Sequence, residues 1–111
     1  MLPPFRLICA GTRSFDDYPL LCLHLDTLLV EKVATHRVII LSGGAAGADT
    51  LGEAFARKRD YGLEVFPANW ERWGTRAGPI RNQQLVNAAD AAVFFWDGRS
   101  HGTRDCLTKA K

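Results

Sequence analysis

The chain has 111 residues, 47% hydrophobic and 23% charged, with a net charge of +2. That suits one small domain around one core, with the composition of a folded globular protein. No apolar run nears the roughly 20 residues that cross a bilayer, the start "MLPPFRLICAG" lacks a signal peptide's basic segment and long apolar middle, and the charge is too mild to argue for nucleic acid by itself, so a cytoplasmic chain with no membrane partner is expected.

The first apolar run, Phe5–Ala10, reads as a strand. It feeds a polar connection, "GTRSFDDY", and then a helix over roughly 17–34, where Leu21, Leu25, Leu28 and Leu29 recur at helical spacing. A second strand, Val38–Leu41, runs into "SGGAAGAD" and a helix carrying Leu51, Ala54 and Phe55, with Thr50-x-x-Glu53 as a capping box. Arg57, Lys58 and Arg59 come late in that helix, where cations complement its C-terminus. A third strand, Leu63–Pro67, leads through a loop holding Trp70 and Trp73 to a helix over Pro79–Ala88, with proline at its first position. A fourth strand, Ala91–Trp96, precedes a last helix starting near Gly102.

These strands are rich in Val, Ile, Phe and Leu without clean alternation, which suits strands covered on both faces. Alternation of strand and helix argues for a single-domain α/β fold: an open parallel sheet of about four strands, with helices on both faces in three layers. The strand-to-helix connections are long and rich in Gly, Arg, Asn, Ser, Thr and Trp, whereas the helix-to-strand ones are short and plain. In a parallel sheet the first set shares one edge, where such folds bind ligands, so one composite pocket is expected there.

Each connection supplies candidates. Gly11, Thr12 and Arg13 open the first; Arg13 faces a bound anion or pairs with Asp16 or Asp17. Ser42, Gly43, Gly44 and Gly47 make the second, either a phosphate cradle at a helix start or a tight turn needing unusual dihedrals. Asp49 either caps the helix or accepts a ribose hydroxyl. In "RAGPIRN", Arg81 falls in the first turn of a helix and opposes its dipole, which a bound anion or a paired carboxylate would offset. Asn82 beside it has hydrogen bonds for a base, a sugar or the loop. Trp70 and Trp73 either stack on a base or pack over the sheet edge. Gly98, Ser100, Gly102 and Thr103 begin the last helix as further phosphate donors.

Several chemistries drop out. Gly98-Arg-Ser100-His-Gly102 matches the G-x-S-x-G pattern, but no acid followed by a histidine comes after Ser100 in the order an α/β hydrolase requires. There is no G-x-x-x-x-G-K-[ST] and no G-x-G-x-x-G after the first strand. Cys9, Cys22 and Cys106 form no close pair and read as reduced, mostly buried thiols. His24, His36 and His101 lack metal-ligand spacing, so no metal is expected.

"GTRSFDDY", "SGGAAGADTLGEAFA", "FPANWERWGTRAGPIRN" and "AAVFFWDGRSHGT" stand in the order seen in the YspA-type, YpsA-related family of the SLOG superfamily. The chain resembles that family over nearly its whole length. The resemblance implies a compact Rossmann-like domain and a nucleotide or nucleotide-derived ligand, related to NAD or ADP-ribose, with no other cofactor required. It implies a sensor or sequestering module. Two alternatives come with the superfamily. One is N-glycosidic cleavage of nucleotides, as in LOG phosphoribohydrolases, with Arg81 and Asp105 at the catalytic arginine and acid. Here the P-G-G opening of the LOG motif is missing and Asp105 stands for a glutamate. The other is single-stranded nucleic-acid binding as in DprA, against which the weak charge speaks. Family members commonly add a strand after the fourth helix, whereas this sequence stops at "CLTKAK"; one edge strand fewer, or a partner such as a second copy over that edge, is expected.

Overall fold

The structure, a computed structural model, describes residues 2–96 and 101–110. Four parallel strands, β1 (Pro4–Gly11), β2 (Arg37–Ser42), β3 (Gly62–Val65) and β4 (Ala91–Phe95), form one sheet in the order β3-β2-β1-β4. Leu7 sits opposite Ile40 on β2 and Ala91 on β4, so β1 is paired on both sides. Its residues alternate between two cores. Leu7 and Cys9 join Val38 and Ile40 on one face, while Ile8 and Ala10 join Ile39 and Leu41 on the other. Double coverage explains why β1 and β2 lack polar alternation. The edge strand β3 departs from that expectation: Glu64 and Val65 are exposed, because nothing flanks it on its outer side in the described sheet.

The first face is closed by α1 (Tyr18–Leu29) and α3 (Ala48–Lys58), which bury Leu21, Leu25, Leu29, Phe55 and Ala56. Removing each large side chain from water stabilises the fold by about 1.5–3 kcal/mol. Asp17 caps α1 by accepting the Leu20 amide at 3.1 Å. Arg59 ties the two helices together, donating to both carboxylate oxygens of Asp26 at 3.0 and 2.7 Å. On the second face α5 (Ala77–Ala88) contributes Leu85 and α6 (His101–Ala110) contributes Cys106.

Local geometry corrects three expectations. The helical stretch over 17–34 is two helices, α1 and the short α2 (Lys32–Thr35). Val30 and Val33 are exposed, so a helix continued past Leu29 would bury nothing more. The capping box at Thr50 and Glu53 does not form. Gly47 is the N-cap of α3, Thr50 donates to the Ala45 carbonyl, and Glu53 serves Ser42 instead. Finally, α5 begins at Ala77, because α4 (Trp70–Trp73) and a 3-10 turn (Gly74–Arg76) lead straight into it. Pro79 is therefore its third residue, still within the turn whose amides need no intrahelical partner. Arg81 stands beyond the first turn, where the helix dipole opposes it less.

Candidate functional site

The C-terminal end of β1, the connections that follow β1 and β2, and residues of α3, α5 and α6 border a cleft of about 310 Å³. Among its lining residues are Gly11, Arg13, Asp49, Arg81, Asn82, Gly102 and Thr103, seven of the residues singled out from sequence. A second cleft of about 260 Å³ is lined by the Gly43–Ala46 loop. Gly43 and Gly44 line it with Pro67, Ala68 and Trp70, and it shares Arg13, Ala45 and Arg81 with the first. The two clefts share two arginines at one sheet edge, which makes that edge the candidate site.

The glycine loop is built around a carboxylate of its own. Asp49, in the first turn of α3, reaches back and accepts the amides of Gly43 at 3.1 Å and Ala45 at 3.4 Å. Burial raises its pKa above the ordinary carboxylate value. The Ala45 amide, the Arg81 charge, and the Gly43 and Gly11 amides offset that in part. The Gly44 amide donates to Ser42 Oγ at 3.1 Å, and Ser42 donates to Glu53 Oε2 at 2.6 Å. Asp49 does not cap α3, whose N-cap is Gly47; its carboxylate clamps the loop from inside. Ser42 is wholly buried in the same clamp. Gly47, at φ +76°, lets α3 approach the Arg13 loop; a Cβ there would lie 2.3 Å from the Thr12 carbonyl oxygen and 2.4 Å from that of Arg13. Space at Gly43 is claimed by Arg81 and Asp49, whose nearest atoms would meet a Cβ at 2.5 and 2.8 Å.

Arg81 is held in place by neutral groups. Its guanidinium donates to the Gly43 carbonyl and, at 2.9 Å, to Asn82 Oδ1. Asn82, 4% exposed, donates in turn to the Gly102 carbonyl at 3.1 Å and to Asp105 Oδ2 at 3.0 Å. Lys109 completes the chain, 2.5 Å from Asp105 and 3.2 Å from the Pro79 carbonyl. Among the described residues neither Arg13 nor Arg81 is within ion-pair distance of a carboxylate, so the Arg13 pairing with Asp16 or Asp17 does not form. Asp105 is absent from the linings of both clefts, engaged instead between α5 and α6. Partial burial alone would raise its pKa, but the hydrogen bonds from Lys109 and Asn82 hold it below the usual carboxylate value. Arg81 and Asp105 are therefore linked through Asn82 and do not meet over one space.

Thr12 borders a separate hollow with Phe15, Phe95 and Trp96. Gly98 and Ser100 lie outside the described residues. Trp73 takes Arg72 and Arg76 over its ring, at 4.7 and 5.8 Å from the centroid. Cys106, which sequence reasoning passed over as a core thiol, lines the first cleft; burial pushes its pKa up to about 11. Burial, with Asp49 adding to it, takes Cys9 to about 12. Both are thiols at neutral pH and offer no thiolate nucleophile. Glu53 and Lys109 were also missed. Glu53 was read only as the acid of a capping box; its place one helical turn after Asp49, on the same side of α3, is the signal for its role beside Ser42. Among the described residues no three His, Cys, Asp or Glu gather as metal ligands, and no helix is long and apolar enough to cross a membrane.

Residues 5–73 match the family model described as the YspA, cpYpsA-related SLOG family. The chain is 40% identical to the Gene 61 protein of Mycobacterium phage D29 over 113 aligned residues, which cover 96% of this chain and 88% of that protein. No solved structure matches it.

Proposed function

Since this chain belongs to the YspA, cpYpsA-related SLOG family, whose domains bind nucleotide-derived ligands, we propose that it is a binding module holding a phosphate-bearing nucleotide ligand at the C-terminal edge of its sheet, as a sensor or a sequestering protein. One observation carries this reading: Arg13 and Arg81 border the same two clefts with no carboxylate paired to either among the described residues. Guanidinium groups left available in a concave site suit phosphate, which they bind by charge-assisted, often bidentate hydrogen bonds. The glycine-loop amides of Gly43, Gly44 and Ala45 are already engaged, so the anion is assigned to the arginines rather than to that loop. Binding is favoured over N-glycosidic cleavage because Asp105 does not line the cleft that Arg81 lines.

The test is to incubate the purified chain with NAD, ADP-ribose, AMP, cyclic ADP-ribose isomers and GTP, then weigh bound and free fractions by mass spectrometry. An intact ligand retained by the protein is expected. Loss of one charge-assisted pair costs about 1.5–3 kcal/mol, so Arg81→Ala is expected to weaken retention at least tenfold. Release of free base with ribose phosphate would replace the binding reading with a hydrolase. Retention of nothing would reject the site.

A further inference from the structure

α1 buries Leu21, Leu25 and Leu29 in the core, yet its opposite face is apolar as well. Leu23 is 62% exposed and Val30 66%; Leu20 and Leu28 are exposed beside them, and Val33 follows on α2. Single exposed leucines are ordinary, but this many on one α1–α2 stretch make a patch, and patches of that kind mark protein contacts. Thr27, also exposed, donates its hydroxyl to the Leu23 carbonyl at 2.7 Å, so that group is already satisfied within the helix. Val30 follows α1 with helical dihedrals (φ −54°, ψ −38°) and keeps the register. Leu20, Leu23, Thr27 and Val30 are thus spaced by alternating steps of three and four, the spacing of a seam between two helices.

Charge narrows what can cover this seam. From Tyr18 to Val30 the one Asp, Glu, Lys or Arg is Asp26, and Arg59 on α3 holds it on the other flank. An acidic or basic partner would find nothing to pair with. A second copy of the chain brings the same uncharged seam. About a two-fold axis beside position 25, Leu20 faces Val30 of the second copy and Leu23 faces its Thr27. The helix ends select the direction. Asp16 and Asp17 precede α1, while Glu31 and Lys32 follow it. A parallel pair would set two acidic ends together, whereas an antiparallel pair sets each beside a lysine. Neither cleft is lined by a residue of α1 or α2, so pairing leaves both open.

We propose that α1 is a dimerisation helix, packing antiparallel on α1 of a second copy of this chain through Leu20, Leu23, Thr27 and Val30. One pair of 12-residue helices is small beside the roughly 1,200–2,000 Å² buried in stable interfaces, so the dimer forms and dissociates with concentration.

Sedimentation velocity of the full chain from about 1 to about 100 μM tests this. The parent is expected to pass from monomer to dimer across that range. Leu23→Lys sets an unpaired charge against Thr27 of the second copy, and Thr27→Glu sets one against its Leu23. Each is expected to weaken association by roughly tenfold or more. Both positions are exposed, so both variants should unfold at the parent's denaturant midpoint. Mixed in equal amounts, the two variants should associate roughly tenfold more tightly than either alone, because one lysine then faces one glutamate and the other contact is the parental one. A parent that stays monomeric would overturn the proposal and leave the face to a different partner. So would variants that associate as the parent does. A mixture no tighter than its components would also overturn it, since the antiparallel register is what brings positions 23 and 27 together.

Discussion

Asp49 and Asp105 both belong to the network around Arg81, and folding moves their proton affinities in opposite directions. Asp49 keeps its proton to a higher pH folded than unfolded. Between its unfolded and folded pKa values the native state binds more protons, so this group's contribution falls as pH rises through that window. Asp105 loses its proton earlier when folded; its contribution is present above the unfolded value and disappears as pH falls through the lowered one. Denaturant titrations from about pH 3 to about pH 7 should separate the two. Asp49→Asn is expected to gain on the parent protein as pH rises. Asp105→Asn is expected to lose to it by less than about 1 kcal/mol near neutrality, since the pair with Lys109 is partly exposed, and to converge with it in acid. Parallel curves would refute the assignment of these shifts. Arg13, Arg81, Asn82 and Asp49 were visible in the sequence because charged and amide side chains at strand-to-helix junctions point to one sheet edge. Their present partners were not. The clamp from Ser42 to Glu53 and the chain from Asn82 to Lys109 join residues 11 and 27 positions apart, and only the packed helices bring them together.

At the scale of elements, the packing of α3 on β1 depends on Gly52. A Cβ there would lie 2.7 Å from Cys9 Sγ and 2.9 Å from Cys9 Cβ. Gly52→Ala would gain up to about 1 kcal/mol of helix propensity. It would also overpack a buried contact, which typically costs about 1–3 kcal/mol. Crowding should win, so a net loss of about 1–2 kcal/mol is expected from equilibrium unfolding. Cys9→Ala in the same chain should restore part of it by removing the sulfur. A Gly52→Ala chain as stable as its parent would contradict the close approach. The elements themselves were largely legible. Apolar runs placed all four strands to within two residues at every end, and Leu21, Leu25 and Leu29 do mark the buried stripe of α1. The errors gathered where local signals compete. Proline is acceptable anywhere in a helix's first turn, so Pro79 could not mark the start of α5. A Thr-x-x-Glu spacing caps a helix only if the threonine precedes it, and Gly47 takes that place in α3.

For the whole molecule, the parallel order β3-β2-β1-β4 puts the strand-to-helix connections at one end, the edge to which loop composition assigned the candidate site. Its division into two clefts was not foreseeable. Both clefts draw on the Gly43–Ala46 loop, which Asp49 holds from inside. That internal carboxylate has a kinetic consequence. A loop that supplies its own anion keeps its shape in the empty protein, and no ordering step should stand between encounter and capture. Association should then follow a single exponential with a rate linear in ligand concentration, and the lifetime of the occupied state would reflect dissociation alone.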